Sequence, residues 1–186
     1  MKNTAEITND GACVYLDSAI RPDRTVRISL LFANIFAFAI YGLIVYSVWG
    51  EGLPRLSLFA IYIFLPLFYA ITLGRLTLWN LFGREFVIIN TKSLSYRRNY
   101  GFFTTQLKVL PFKDLHYTIK ERGQRSGVDS GTLQFAHHNE QGLSVNLFTT
   151  SVVLPIKRLQ ELTEQVRFIF ALERISDPEY DVIHLN

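Results

Sequence analysis

Two long apolar runs without a charged residue dominate the first half of the chain. Residues 28–49 form the first run, and as a helix they would reach about 33 Å, enough for a hydrocarbon core of about 30 Å. Residues 56–73 form the second run, and Arg75 is the only charged residue between its end and Phe82. Neither run has the polar face of a helix that packs on a soluble core. The pattern therefore predicts two membrane-spanning helices rather than two core helices.

The turn between the two runs, residues 50–55, contains two glycines and a proline, which predicts a helical hairpin over residues 28–82. Trp49 and Trp79 lie near the ends of the spans, and Arg75 follows the second run. We expect these three residues to anchor the hairpin at the membrane interface. Lysines and arginines are concentrated outside the turn, so both termini are predicted to be cytoplasmic.

After residue 84 the chain changes to short alternating segments separated by turn residues, which predicts about six antiparallel strands. From Pro155 onward, apolar residues recur at spacings of three and four, which predicts an amphipathic helix that covers the sheet. The predicted strands are 85–89, 94–100, 104–110, 115–121, 131–137 and 143–148, with a mobile polar loop at 122–130.

The predicted fold class is thus a two-helix membrane hairpin plus an α+β cytoplasmic domain, an antiparallel sheet or open barrel capped by a C-terminal helix. Residues 1–27 are predicted to be a cytoplasmic lead, either flexible or with a short amphipathic piece around residues 14–20. The β domain with its helix is expected over residues 83–174, and an irregular tail over residues 175–186.

Composition agrees with this division. Hydrophobic residues make up 49% of the 186 positions, charged residues 19%, and mean hydropathy is +0.18. This excludes a disordered chain, and the single cysteine excludes a disulfide scaffold or a cysteine-based zinc or iron–sulfur site. Outside the two apolar runs, the composition is that of an ordinary soluble domain.

The order of short motifs outside the spans carries a resemblance to a known family. A strand at 86–90 is followed by a second strand at 94–98 and Gly101, and then by a proline–acidic step at 110–115. A further strand at 131–135 precedes the amphipathic helix. Together with the two spans and Trp79, this order resembles the bacterial membrane-anchored pleckstrin-homology-like proteins over about residues 28–174. The resemblance implies a helix-capped barrel and a binding or scaffolding role rather than a reaction.

Motifs of catalytic chemistry are missing from the sequence. It contains no phosphate-binding loop, no His-Glu-x-x-His and no Gly-x-Ser-x-Gly. Residues 137–140, His-His-Asn-Glu, are its one concentrated group of metal-ligand types, but neighbouring strand residues point to opposite faces. His116 is interpreted as an isolated strand residue. We therefore predict no enzyme activity, no cofactor and no metal; an enzyme built on the loops at 122–142 is the least favoured alternative.

Basic residues just after the second span are the candidate contact site. Residues 74–100 contain five basic residues and one acidic residue. Four of them are assigned to anionic headgroups or a partner protein: Arg84, Lys92, Arg97 and Arg98. The alternative is that these charges only enforce membrane topology. Nucleic acid is not an expected partner, because the basic region is small and adjacent to the membrane.

These observations favour a non-enzymatic, two-pass accessory, scaffold or assembly subunit of the bacterial inner membrane. Its expected partners are the lipid bilayer and either another membrane protein, docked through the hairpin and the cytoplasmic domain, or a second copy of itself. The alternative function is sensing of anionic lipid by the basic first hairpin of the domain.

Overall fold

The computed structural model describes residues 3–49, 58–125, 127–139 and 141–176. Three helical segments are α1 (Arg24–Trp49), α2 (residues 60–82) and α3 (Ile156–Ser176). In α2, π-helical turns Ala60–Phe64 and Ala70–Gly74 alternate with α-helical Leu65–Tyr69 and Arg75–Phe82. The strands are β1 (Thr4–Asn9), β2 (Val14–Ala19), β3 (Arg84–Ile89), β4 (Ser93–Asn99), β5 (Lys108–Pro111), β6 (His116–Arg125), β7 (Val128–His138), β8 (Ser144–Thr149) and β9 (Leu154–Pro155).

Helices α1 and α2 are long and apolar enough to cross a membrane, over Arg24–Val48 and Ile61–Phe82, and their most apolar stretches bury no residue within the protein. This confirms the two predicted apolar helices and shows that the second continues through Arg75. The predicted turn 50–55 and the side chain of Trp49 lie outside the described residues.

A polar network joins α1 to α2. The Asn34 side chain donates a hydrogen bond to Thr77 Oγ1 at 3.0 Å and accepts one from the Tyr69 hydroxyl. The rings of Phe38 and Tyr69 lie beside it, with centroids 5.0 Å apart. The Asn34 amide also donates to the Leu30 carbonyl oxygen of its own helix, and its contacts with Thr77 and Tyr69 link α1 to α2.

The first sheet has five antiparallel strands in the order β1-β2-β3-β4-β5. Strands β2 and β3 are neighbours, paired from Val14 opposite Ile89 to Ala19 opposite Arg84. Helix α1 follows β2 after residues 20–23, and Gly83 is the single residue between α2 and β3. The helical hairpin is therefore an insertion between two adjacent strands of one sheet.

The flexible lead expected at residues 1–27 is wrong, because residues 4–19 form β1 and β2, and the short amphipathic piece expected around residues 14–20 is the strand β2. Val14, Leu16 and Ser18 are fully buried while the residues between them are partly exposed, so β2 does alternate with period two. The domain that contains both sheets thus consists of residues 3–20 together with residues 83–176, rather than residues 83–174 alone.

The second sheet pairs β6 with β7, and β7 with β8 and β9. The mobile loop expected at 122–130 is wrong: Gln124 pairs with Asp129 and Arg125 with Val128, so the described residues of this segment continue the β6–β7 hairpin. Residues 122–124 and 127–129 are exposed to solvent, in agreement with the polar composition of the segment. Strand β5 is also shorter than predicted, and Thr104 forms only an isolated bridge with Asn99.

Helix α3 packs on the sheets through its apolar face, as the spacing of its apolar residues predicts. Its buried residues join those of both sheets in one core. The helix contributes Leu159, Leu162, Val166 and Ile169, and the sheets contribute Val14, Leu16, Val87, Ile89, Leu94, Leu133, Phe135 and Phe148. Two long apolar helices, antiparallel sheets and a C-terminal helix are therefore confirmed. The tail at 177–186 lies outside the described residues.

Candidate functional site

The junction between α2 and the sheet is rigid. The Gly83 N–H donates to the Trp79 carbonyl oxygen at 2.9 Å, and a Cβ at Gly83 would lie only 2.2 Å from that oxygen. Trp79 and Arg75, the two predicted interface anchors whose side chains the structure describes, lie one helical turn apart and both contact Tyr100. The Trp79 and Tyr100 rings are 5.1 Å apart, and Arg75 donates to the Tyr100 hydroxyl at 3.1 Å. These contacts fix the end of α2 against the end of β4.

An exposed aromatic loop follows β4 at this same end of the domain. Gly101 has φ +90°, a conformation that favours glycine, and it turns the chain toward α2. Phe103 stacks on Tyr100 with centroids 4.6 Å apart, and Phe102 meets Phe82 edge-on at 6.1 Å. Phe102 nevertheless stays 82% exposed. The apolar surface of α2 thus continues onto the domain through this loop.

Arg98, one of the four predicted contact residues, is held inside the domain. Its Nε donates to Glu85 Oε1 at 3.0 Å, and its guanidinium lies 5.9 Å from the Trp79 ring centroid. Glu85 is fully buried, and its other oxygen accepts the Ser151 N–H at 2.8 Å. Arg98 therefore neutralises a buried carboxylate, which is a structural contact within the fold.

The other three predicted basic residues do not form one patch. Arg97 lies on the opposite face of β4 from Arg98 and stacks over Phe86, 5.2 Å from its ring centroid. Arg84 is exposed at the end of β3 that follows α2, which we call the helical end of the domain. Lys92 lies in the turn at the other end of β3. Six residues of extended chain span about 20 Å, so Arg84 and Lys92 cannot meet one headgroup.

A groove at the helical end brings together basic residues that sequence reasoning separated. Arg21 and Arg27, from the connection before α1 and its first turns, line it with Arg84 from β3. Glu6 and Asp17 line it as well, and its volume is about 850 Å³. The basic residues before the first helix served only as a topology signal in the sequence. Their approach to Arg84 depends on the pairing of β2 with β3.

Three metal-ligand side chains converge at the opposite end of the domain. Asp114 Oδ2 lies 2.8 Å from His116 Nε2 and 2.7 Å from His138 Nδ1, and the two ring nitrogens are 2.9 Å apart. All three side chains are about half-exposed. The interpretation of His116 as an isolated strand residue is therefore wrong. Its Cα partner across the sheet is Ala136, two residues before His138, which places the two rings on one face.

The local chain holds this His–Asp cluster in place. Asp114 lies in the turn between β5 and β6, and its Oδ1 accepts the His138 backbone N–H at 3.2 Å. The side-chain hydrogen bond from His138 is the main cause that holds the pKa of Asp114 well below its usual range. His137 pairs with Val145 and is not part of the cluster, as the alternation of strand residues predicts. His137, His138, Asn139 and Asp114 also line an adjoining cavity of about 630 Å³.

No protein-family model matches the sequence, and no curated protein is similar enough to count as a match. The resemblance to pleckstrin-homology-like proteins thus stays a prediction.

Proposed function

We propose that the protein is a non-enzymatic, two-pass accessory or scaffold subunit of the bacterial inner membrane. Its pleckstrin-homology-like domain is held against the cytoplasmic surface and docks a protein partner there. The observation that carries the proposal is the insertion of the helical hairpin between β2 and β3. A domain attached through two neighbouring strands presents one fixed face to the bilayer.

Both connections are too short to let the domain move away from the membrane. Residues 20–23 and Gly83 are the only links, and the Ile20 N–H donates to the Gly83 carbonyl oxygen at 2.9 Å, which ties them together. The exposed ring of Phe102 lies beside the end of α2, at the level where aromatic side chains meet headgroups. We propose that this loop lies in the interface as an additional anchor.

The architecture supports the pleckstrin-homology-like assignment at the level of element order. Two antiparallel sheets are followed by a C-terminal helix that covers their shared core. Strand β8 is an outer strand of the second sheet, and within the described residues no strand pairs with its free side. Val145 and the preceding Leu143 are exposed there. An extended segment of a partner protein can add to such an edge through main-chain hydrogen bonds.

Site-specific photo-crosslinking in native membranes tests this function. A crosslinking residue at position 145, on β8, should yield one discrete product with a protein partner. The matched control is the same residue at Lys157, which is exposed on α3. A lone monomeric particle in mild detergent, with equal crosslinking from both positions, contradicts the proposal.

Recognition of anionic lipid is the second candidate function, and the groove lined by Arg21, Arg27 and Arg84 favours it. Each cation near the surface contributes on the order of 1 kcal/mol, so replacing Arg21 and Arg84 with Gln should weaken anionic-lipid binding about 30-fold. Native mass spectrometry of the full chain with phosphatidylglycerol measures this, and Lys92→Gln is the control. Equal lipid retention in all variants excludes this function.

A further inference from the structure

We propose that Asp114, His116 and His138 form a binding site for a divalent transition-metal ion, with zinc as the representative. The site lies at the end of the first sheet away from the helical hairpin, beside the turn that joins β5 to β6. It is independent of the docking and lipid functions proposed above.

Hydrogen bonding alone does not account for the three contacts. A neutral imidazole carries one proton, so each facing nitrogen supplies at most one N–H, and an ionised carboxylate supplies none. If both facing nitrogens are protonated, both can donate to Asp114, but two N–H groups then oppose each other at 2.9 Å. If only one is protonated, a contact between two lone pairs remains. Every arrangement of protons leaves at least one of the three short contacts unsatisfied.

A cation satisfies all three atoms at once. An ion about 1.3 Å above the plane of the two nitrogens and the oxygen lies about 2.05 Å from each, within the range of about 2.0–2.2 Å for zinc bonds to imidazole and carboxylate. The angles between its ligands are then about 86°, close to three adjacent corners of an octahedron. A tetrahedral zinc ion at the same distance sets the ligand atoms about 3.3 Å apart, so each pair moves apart by about 0.5 Å when zinc binds.

The donor set defines the class of ion. Two imidazoles and one carboxylate suit first-row transition ions such as zinc and iron(II), whereas calcium and magnesium prefer oxygen ligands alone. The hydrogen bond from the His138 backbone N–H to Asp114 Oδ1 orients the carboxylate, as hydrogen bonds to ligating side chains do in metal sites. Since the three side chains are about half-exposed, the remaining coordination positions face solvent.

Zinc titration of the full-length protein in detergent tests the site. The protein carries a tag without histidine and is stripped with a chelator before calorimetry. We expect one zinc ion per chain with a dissociation constant of about 10 μM or tighter. His116→Gln, His138→Gln and Asp114→Asn should each weaken binding at least about 10- to 100-fold. His137→Gln is the matched control and should bind as the unchanged protein does.

X-ray absorption at the zinc edge gives a second readout that needs no variant to fold. It should show two imidazole nitrogens and an oxygen at about 2.0–2.2 Å. The proposal is overturned by zinc binding that is absent or unsaturable at 100 μM, by a spectrum without imidazole, or by equal loss of affinity in His137→Gln and in folded cluster variants.

Discussion

Replacing Arg98 with Gln separates a structural role from a membrane-contact role for the basic residues of β4. Glu85 is fully buried and has two donors, Arg98 Nε and the Ser151 N–H. Removing Arg98 leaves a buried carboxylate with one neutral donor. The cost of breaking a buried ion pair is about 3–5 kcal/mol, and we take the lower end because the Arg98 side chain is 31% exposed. At about 2–4 °C per kcal/mol, Tm should fall by about 6–12 °C.

Arg97→Gln is the matched control, since the two arginines are sequence neighbours on opposite faces of one strand. Arg97 loses only a stacking contact over Phe86, worth about 0.5–1 kcal/mol at an exposed position. Its expected fall in Tm is about 1–4 °C. Fluorescence of the purified protein during heating measures both variants, because Trp79 packs beside Arg98 and reports on this contact.

A double-mutant cycle identifies the partner of Arg98. In a Glu85→Gln background, the amide oxygen still accepts the Ser151 N–H, and no buried charge remains. Arg98→Gln should then cost less than about 1 kcal/mol, which gives a coupling of about 2 kcal/mol or more. If Arg98→Gln lowers Tm no more than Arg97→Gln does, or costs the same in both backgrounds, the assignment of Arg98 to the fold is refuted.

Three further predictions follow from single contacts. Gly83→Ala should destabilise the protein by about 1–3 kcal/mol in urea unfolding, because the new methyl group meets the Trp79 carbonyl oxygen. The control Gly42→Ala should be neutral or stabilising, because the space around Gly42 is open. Asn34→Leu should weaken the helix pair by about 0.6–1.7 kcal/mol in detergent-induced unfolding, and unchanged stability would contradict the role of its network. The hydrogen bond to Asp10 raises the pKa of Tyr15 to about 12. The stabilising effect of this hydrogen bond is therefore complete below pH 10 and is lost as pH rises through 12. Ultraviolet titration should show that Tyr15 ionises at lower pH in the Asp10→Asn variant.

The parts of the fold that sequence could predict are those with a strong local signal. The apolar runs of α1 and α2 are long and uncharged, and the spacing of Leu159, Leu162, Val166 and Ile169 marks the buried face of α3. The pairing of β2 with β3 has no such signal, because about sixty residues of helical hairpin separate the two strands. Only the fold shows that residues 4–19 complete the sheet.

The candidate sites differ in how far sequence reaches them. Glu85 shares one strand face with Val87 and Ile89. The alternation of strand residues alone therefore predicts that the Glu85 carboxylate is buried and needs a partner. This pattern predicts a structural role for Arg98 within the domain instead of a contact with the membrane. His116 contacts His138 instead because the two residues are diagonal neighbours on β6 and β7, which together form a long hairpin. No spacing rule finds that contact before the register of β6 and β7 is known.

The helical hairpin is an insertion in a sheet that is built from residues on both sides of it. A chain in which an Asn-Gly turn replaces residues 21–82 should join Ile20 directly to Gly83, whose backbones are already hydrogen-bonded. The measurement is its free energy of unfolding in urea, compared with that of residues 83–176 alone. The shorter chain lacks the fully buried Val14 and Leu16, about 1.5–3 kcal/mol each, and exposes the edge of β3. We predict that the joined chain unfolds cooperatively. The shorter chain should be less stable by at least about 3 kcal/mol, or should not fold at all. Equal stability of the two chains would contradict the account.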